Sequence, residues 1–245
     1  MLNICRKTDP AEEAIIMERI KKLIRECPVT SGIYLKLAQS YKAKQLEKDR
    51  DHYQKNSLRI LSSVQDTLTS YRKNSKFFFM FGTALGAYRD KKLIRNDMDI
   101  DVGIYINTDE ESITAFRNHM EKNDFKLIHY YSVDQIGLIQ DSFTKDGIKV
   151  DVAYLRHTEA NDCCYLIYDT EEEEGKVLIF PFTCVFATQV YIFNDITINL
   201  PEDADQYLKD TYGPDWRIPN PDYKYWENPS AKKTDLHGTI TICNE

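Results

Sequence analysis

Asn96-Asp97-Met98-Asp99-Ile100-Asp101-Val102 is the stretch on which the reading of the fold turns. Alternate residues of a β-strand share a face, so a strand over 98–106 is expected. Asp97, Asp99 and Asp101 would line one side of it, and Met98, Ile100 and Val102 would enter the core. Neighbouring carboxylates on that side would lie roughly 6.5–7 Å apart at Cα. Like charges that close raise one another's proton affinity and oppose folding unless a cation sits among them. An oxygen-only donor set suits Mg²⁺ or Mn²⁺. Taken alone, the motif could equally be a solvated acidic strand face.

Other residues join it. Val150-Asp151-Val152 places a further carboxylate inside an apolar strand expected over 148–155, where an unpaired charge is costly. Two carboxylates from one strand and one from its neighbour match a two-metal centre for phosphoryl transfer, in which the ions activate the attacking oxygen and stabilise the leaving one. Asp99, Asp101 and Asp151 are therefore the candidate metal ligands, with a structural ion pair as the alternative for Asp151. Upstream, Phe81-Gly82-Thr83 closes the apolar run 77–81, expected as a buried central strand, and leads into a short helix over 84–88. Gly82 would allow close backbone approach by a ligand, and the helix start would offer N–H groups to a phosphate. Lys91, Lys92 and Arg95 add positive charge nearby, or form a solvated loop.

The first 75 or so residues read as helix. Met17, Ile20, Leu23, Ile24 and Cys27 recur at helical spacing, then Pro28 and Gly32 interrupt it. A second helix would carry Tyr34, Leu37, Ala38 and Tyr41, and a third, over 51–73, Leu61, Val64, Leu68 and Tyr71. A single tetratricopeptide-like hairpin over 34–61 is one way to fold this front. A helix over 109–122 is expected next, then strands near 125–131 and 136–144, with the Asp146-Gly147 turn leading into 148–155. Further strands fit 164–168, 177–180, 184–193 and 196–200. A last helix would open at Pro201 and stop at Gly213-Pro214, followed by an extended tail with Pro219, Pro221 and Pro229. The fold class is α+β: a mixed sheet flanked by helices, with a helical extension over 1–48 and a catalytic domain over 49–245.

The composition narrows the function. A length of 245 residues with 42% apolar and 12% aromatic side chains supports a large core. The net charge of −7 gives no global positive field to attract nucleic acid. No apolar run approaches the roughly 18–20 residues of a membrane span, and the amino-terminal residues do not read as a signal peptide. The six cysteines show no CxxC spacing, which predicts reduced thiols and a cytoplasmic protein. Zinc on His157, Cys163, Cys164 and Cys184 is the weaker alternative. The acidic run 171–174 reads as an exposed turn, Tyr212, Trp216 and Tyr223 to Trp226 as packing of the tail on the sheet or, alternatively, as stacking on a base or sugar, and His119, His129 and His237 as having no evident partner.

Phe81-Gly82-Thr83, Asp99-Ile100-Asp101-Val102 and Val150-Asp151-Val152 together resemble the three-part signature of the nucleotidyltransferase fold. More narrowly, Phe81-Gly82-Thr83-Ala84-Leu85-Gly86-Ala87-Tyr88-Arg89, then Ile94-Arg95-Asn96-Asp97-Met98-Asp99-Ile100-Asp101-Val102-Gly103-Ile104, resemble the LicD family, to which fukutin and fukutin-related protein belong. Leu200-Pro201, Tyr207-Leu208, Tyr212-Gly213-Pro214-Asp215-Trp216 and Pro219 extend the likeness, over roughly 55–220. Arg95-Asn96 stands where many members have Pro-Trp, and Met98 where many have aspartate. The resemblance implies transfer of a substituted phosphate, phosphocholine or an alditol phosphate such as ribitol phosphate, from a CDP-linked donor to a glycan or glycolipid hydroxyl, releasing CMP. It implies Asp99, Asp101 and Asp151 as metal ligands, Gly82, Thr83 and Arg89 at the donor phosphates, and Asp97 as a supporting or acceptor-side carboxylate. The alternatives are transfer of the nucleotide itself to a small molecule or protein, and a catalytically silent helical interaction protein. The location would be cytoplasmic, at or near the membrane where glycans are assembled, and copies of the chain could pair through the helical extension.

Overall fold

The structure is a computed structural model. It describes residue 19 and residues 28–71, 76–157, 162–169, 174–183, 187–228 and 230–243. The helix expected around Met17, Ile20, Leu23, Ile24 and Cys27 lies outside these residues, as do Cys5, Cys184, Pro229 and 171–173. The chain divides into two compact units, Met1–Asp51 and His52–Glu245.

The first helix, α1, spans Pro28–Tyr71 without interruption. Separate helices carrying Tyr34 to Tyr41 and spanning 51–73 are expected from the sequence, but one helix covers both, which also removes the alternative of a hairpin over 34–61. From Ile33 to Phe81 the sequence holds neither glycine nor proline, so nothing ends the helix where a hairpin would turn. Within the first unit, Gln45 donates to Asp49 at 3.0 Å and Arg50 pairs with Glu47 at 3.5 Å.

The second unit is built on a nine-stranded mixed sheet. Its strands are β1 (Lys76–Phe79), β2 (Asp99–Tyr105), β3 (Lys126–Val133), β4 (Gly137–Lys145), β5 (Ile148–Tyr154), β6 (Arg156–His157), β7 (Asp162–Tyr168) and β8 (Lys176–Phe182), with β9 (Thr188–Phe193) and β10 (Ile196–Pro201) forming a separate hairpin and β11 (Lys232–Ile242) completing the sheet. The order is β1-β2-β5-β4-β3-β11-β8-β7-β6. Only β2 and β5 pair in parallel among the described strands. The helices are α2 (Phe81–Leu85), continued by a π turn Gly86–Asp90, α3 (Glu110–Lys122) and α4 (Ala204–Tyr212).

One face of the sheet is apolar and carries helices. Ile60, Leu61, Val64 and Leu68 of α1 and Phe116 and Met120 of α3 are fully buried in one core with Ile100, Val102, Val150 and Val152. The Phe116 ring meets Phe143 edge-on at 6.1 Å and Tyr154 at 6.2 Å, and each such buried ring is worth about 1.5–3 kcal/mol. Beneath them Asp141, fully buried, takes both prongs of the Arg117 guanidinium at 2.7 and 2.8 Å and the Tyr154 hydroxyl at 2.7 Å. This pair fastens α3 to β4 and β5. His119 Nε2, 2.9 Å from the Thr67 carbonyl, ties α3 to α1.

Three strands differ from expectation. β1 pairs with β2 alone, so it is an edge strand rather than a central one. Its Phe77, Phe78 and Phe79 are nonetheless buried, with Phe78 edge-on to Phe182 and Tyr207, which removes the edge from solvent. The expected extended tail supplies β11, an interior strand. Its first part pairs with β8 and its second, from Gly238 onward, with β3. At the changeover a Cβ on Gly238 would lie 2.3 Å from Ile167 Cδ1, so a side chain there would require Ile167 to shift. The short β6 was not anticipated, and the last helix opens at Ala204, capped by Asp203, because Pro201 closes β10.

Candidate active site

The carboxylates gather where β1 has left the ladder. Its last pairing is Phe79 with Val102, so the backbone from Asp99 to Asp101 needs other partners. The Asp101 N–H donates to Thr83 Oγ1 at 2.9 Å, Met80 N–H donates to the Asp101 carbonyl at 3.0 Å, and the Tyr53 hydroxyl donates to the Asp99 carbonyl at 2.9 Å. Thr83 is 1% exposed. Its hydroxyl, expected at a donor phosphate, is used to hold Asp101.

The turn that presents Thr83 is strained. Phe81 has φ +44°, a region side chains rarely adopt, at a cost on the order of 1–3 kcal/mol. Its N–H donates to the Tyr207 hydroxyl at 3.1 Å, and its ring meets Phe180 edge-on at 5.8 Å, so α4 and β8 hold the turn in place. Gly82 follows, and a Cβ there would sit 1.5 Å from Asp97 Oδ2. The bare glycine is what admits the Asp97 carboxylate.

Asp97 lies ahead of β2, in a turn closed by its N–H to the Ile94 carbonyl at 3.1 Å, and not on the strand face as expected. It still joins the group: ligand oxygens of Asp97, Asp99 and Asp101 all lie within 4.8 Å of one another. Asp151 stands beside Asp101 in the β2–β5 register, but its oxygens are engaged otherwise, Oδ1 by the Ser142 hydroxyl at 2.6 Å and Oδ2 by Lys149 Nζ at 3.0 Å. Lys149 also contacts Asp99 Oδ2 at 2.9 Å. Sequence reasoning passed over Lys149, although its place two residues before Asp151 puts both on one strand face.

The electrostatics follow from this crowding. The Asp97 carboxyl is pushed up to about 7, first by burial and then by the neighbouring Asp99 charge. Asp101 is raised well above the ordinary carboxylate range, first by burial and then by Asp99 and Asp97. With Asp97 and Asp101 holding their protons this tightly, the three close carboxylate oxygens form a donor set fitted to a divalent cation. Between about pH 4, where an unfolded aspartate loses its proton, and about 7, the metal-free folded state keeps a proton on Asp97 that the unfolded chain has released. Stability should therefore fall as pH rises through that window and level off above it. Melting temperature against pH in chelator checks this, with a shallower slope for Asp97→Asn; equal slopes for both proteins would refute the assignment.

The remaining expected residues are placed as follows. The Arg89 fork closes on Asp90 through Nε and Nη2, both at 2.8 Å, and Nη1 donates to the Trp216 carbonyl at 3.2 Å. Arg89 thus docks the segment after α4, and its guanidinium is not presented as a free clamp. Lys91 donates to the Tyr191 hydroxyl and lies over the rings of Tyr88 and Tyr191, at 5.2 and 5.0 Å from their centroids. Arg95 is exposed in the turn before Asp97. Tyr212, Trp216 and Tyr225 pack as expected, Trp216 being 4% exposed. His129, whose pKa burial lowers, lies 3.1 Å from the Tyr131 hydroxyl. Cys163, Cys164 and Cys243 form no disulfide. Among the described residues Asp97, Asp99 and Asp101 are the only metal-compatible cluster, which leaves the zinc alternative without support there, and no helix is long and apolar enough to cross a membrane.

Known proteins resemble this chain. The chain is 27% identical over 183 residues to the human ribitol-5-phosphate transferase FKTN, covering 71% of this chain and 35% of that protein. It is 26% identical over 183 residues to the Macaca fascicularis protein of the same name, with the same coverage, and 28% identical over 163 residues to that of Mus musculus, covering 63% of this chain and 32% of that one. The chain thus spans about a third of the length of these curated relatives. Residues 74–203, which hold the Gly82-Thr83 turn and all four carboxylates, match the family described as LicD/FKTN/FKRP, nucleotidyltransferase domain, and the chain belongs to that family.

Proposed function

We propose that this protein is a metal-dependent phosphotransferase that moves a substituted phosphate, ribitol phosphate before phosphocholine, from a CDP-linked donor to a hydroxyl of a glycan or glycolipid, releasing CMP. The observation that carries the reading is the cluster of Asp97, Asp99 and Asp101 oxygens within 4.8 Å, set on the turn and strand that match the family. The preference for ribitol phosphate rests on the names of the relatives.

Asp97, Asp99 and Asp101 would hold Mg²⁺ or Mn²⁺, with Asp151 beside them. Bound there, the ion would supply Lewis-acid stabilisation of charge developing on the diphosphate. The chain's own part is positional. Thr83, Met80 and Tyr53 fix the backbone that carries Asp99 and Asp101, and Ser142 and Lys149 fix Asp151. A carboxylate of the cluster accepts the proton of the attacking hydroxyl, and the hydroxyl oxygen displaces CMP in line. Lys91, Lys92 and Arg95 supply positive charge on the loop leading to the site, whereas Arg89 serves by docking the chain after α4. Residues 49–245 carry this chemistry, and the extension 1–48 serves pairing between copies.

The test is to incubate the full chain and a 49–245 truncation with Mg²⁺, a glycan acceptor, and CDP-ribitol, CDP-choline or a nucleoside triphosphate. CMP release from CDP-ribitol with ribitol phosphate on the acceptor is the expected result, in both proteins, with altered oligomeric state in the truncation. Pyrophosphate release from the triphosphate would favour nucleotide transfer instead. No turnover with any donor would favour the silent interaction protein.

A further inference from the structure

We propose that the Lys149 ammonium is a built-in second cation of this centre, so that the chain binds one divalent ion rather than the two its carboxylates would otherwise call for. The inference rests on the metal reading above and concerns which residue fills the second position.

The β2–β5 register sets Asp99 opposite Lys149 and Asp101 opposite Asp151. Three carboxylates and one ammonium therefore occupy the corners of a patch on two adjacent parallel strands. Lys149 Nζ lies 2.9 Å from Asp99 Oδ2 and 3.0 Å from Asp151 Oδ2. These are charge-assisted hydrogen-bond distances, and they put a positive charge between a carboxylate of β2 and one of β5. The ligand oxygens that converge without Asp151 come from Asp97, Asp99 and Asp101, which gives a single ion its protein ligands and leaves Asp151 to the lysine and to Ser142. Four carboxylates facing one ammonium and one divalent ion come close to neutrality; a lone divalent ion without the lysine would leave a larger negative excess against a diphosphate substrate.

Lys149 is thus a positioning residue, acting through Asp99 and Asp151. It distinguishes this centre from one that needs two ions from solution.

The decisive measurement is the number of Mn²⁺ ions bound per chain, read by electron paramagnetic resonance of free Mn²⁺ during titration of the full chain. One ion is expected for the parent and for Lys149→Arg, and two for Lys149→Met, whose metal-free form should also melt lower. Two ions on the parent would overturn the inference whatever the variants do, as would a single ion on Lys149→Met. No Mn²⁺ on the parent would remove the metal reading itself, and the lysine inference with it.

Discussion

Asp101→Asn should lower turnover of the CDP-linked donor by about a thousandfold while leaving the metal-free protein as stable as the parent, or more so. Loss of a ligand carboxylate forfeits several kcal/mol of charge stabilisation, and each factor of ten in rate is about 1.4 kcal/mol. The fold should survive because the contacts that lock this residue are made by its backbone, N–H to Thr83 and carbonyl from Met80. Its side chain is the source of conflict: burial, Asp99 and Asp97 all oppose its ionisation, and an amide of the same shape carries no charge. CMP release at saturating donor, beside melting in chelator, separates the two effects. Turnover within tenfold of the parent would remove Asp101 from the active site.

Asp141→Ala is expected to cost about 3–5 kcal/mol of stability, the range for breaking a buried ion pair by removing one partner. Asp141 is fully buried and accepts three hydrogen bonds, two from Arg117 and one from Tyr154. Alanine would strand a guanidinium that is only 25% exposed together with a buried hydroxyl. In a domain of this size that is a drop on the order of 10 °C in melting temperature, measurable by urea or thermal unfolding. Metal binding by the fraction that remains folded should persist, because Asp141 lies on the face of β4 opposite Ser142 and the carboxylate cluster. A loss under about 1 kcal/mol would mean that the pair is solvated and does not fasten α3.

Much of this architecture was legible beforehand, for local reasons. The period-two alternation of Asp99 to Val102 and of Val150 to Val152 states which side of each strand is buried, whatever the strand pairs with. Asp146 and Gly147 both adopt positive φ, at 51° and 76°, as a two-residue hairpin turn requires. The 109–122 helix could be read because Asp109 caps it through the Ser112 N–H and Ile113, Phe116 and Met120 recur on one face.

The misreadings share a different cause. Gly32 suggests a break by itself, but it lies within α1, which meets no later breaker before Tyr71. Arg89 stands six residues after Thr83, and what its donors meet is set from afar as well as locally, by Asp90 and by the Trp216 carbonyl 127 positions away. Counting in twos puts Asp97 on the strand, whereas it reaches the cluster from a turn because Gly82 leaves room for its carboxylate.

By itself, then, the sequence determined the element types, the apolar side of each strand and the residue types of the centre, since these depend on periodicity and on chemistry carried by neighbouring residues. Tertiary structure alone decided which carboxylates converge, that Lys149 stands between Asp99 and Asp151, and that β11 joins β3 to β8. Those outcomes depend on strand register and on partners far apart in the chain. A shift of one residue in register would move every one of these side chains to the opposite face, and no local pattern specifies the register between β2 and β5.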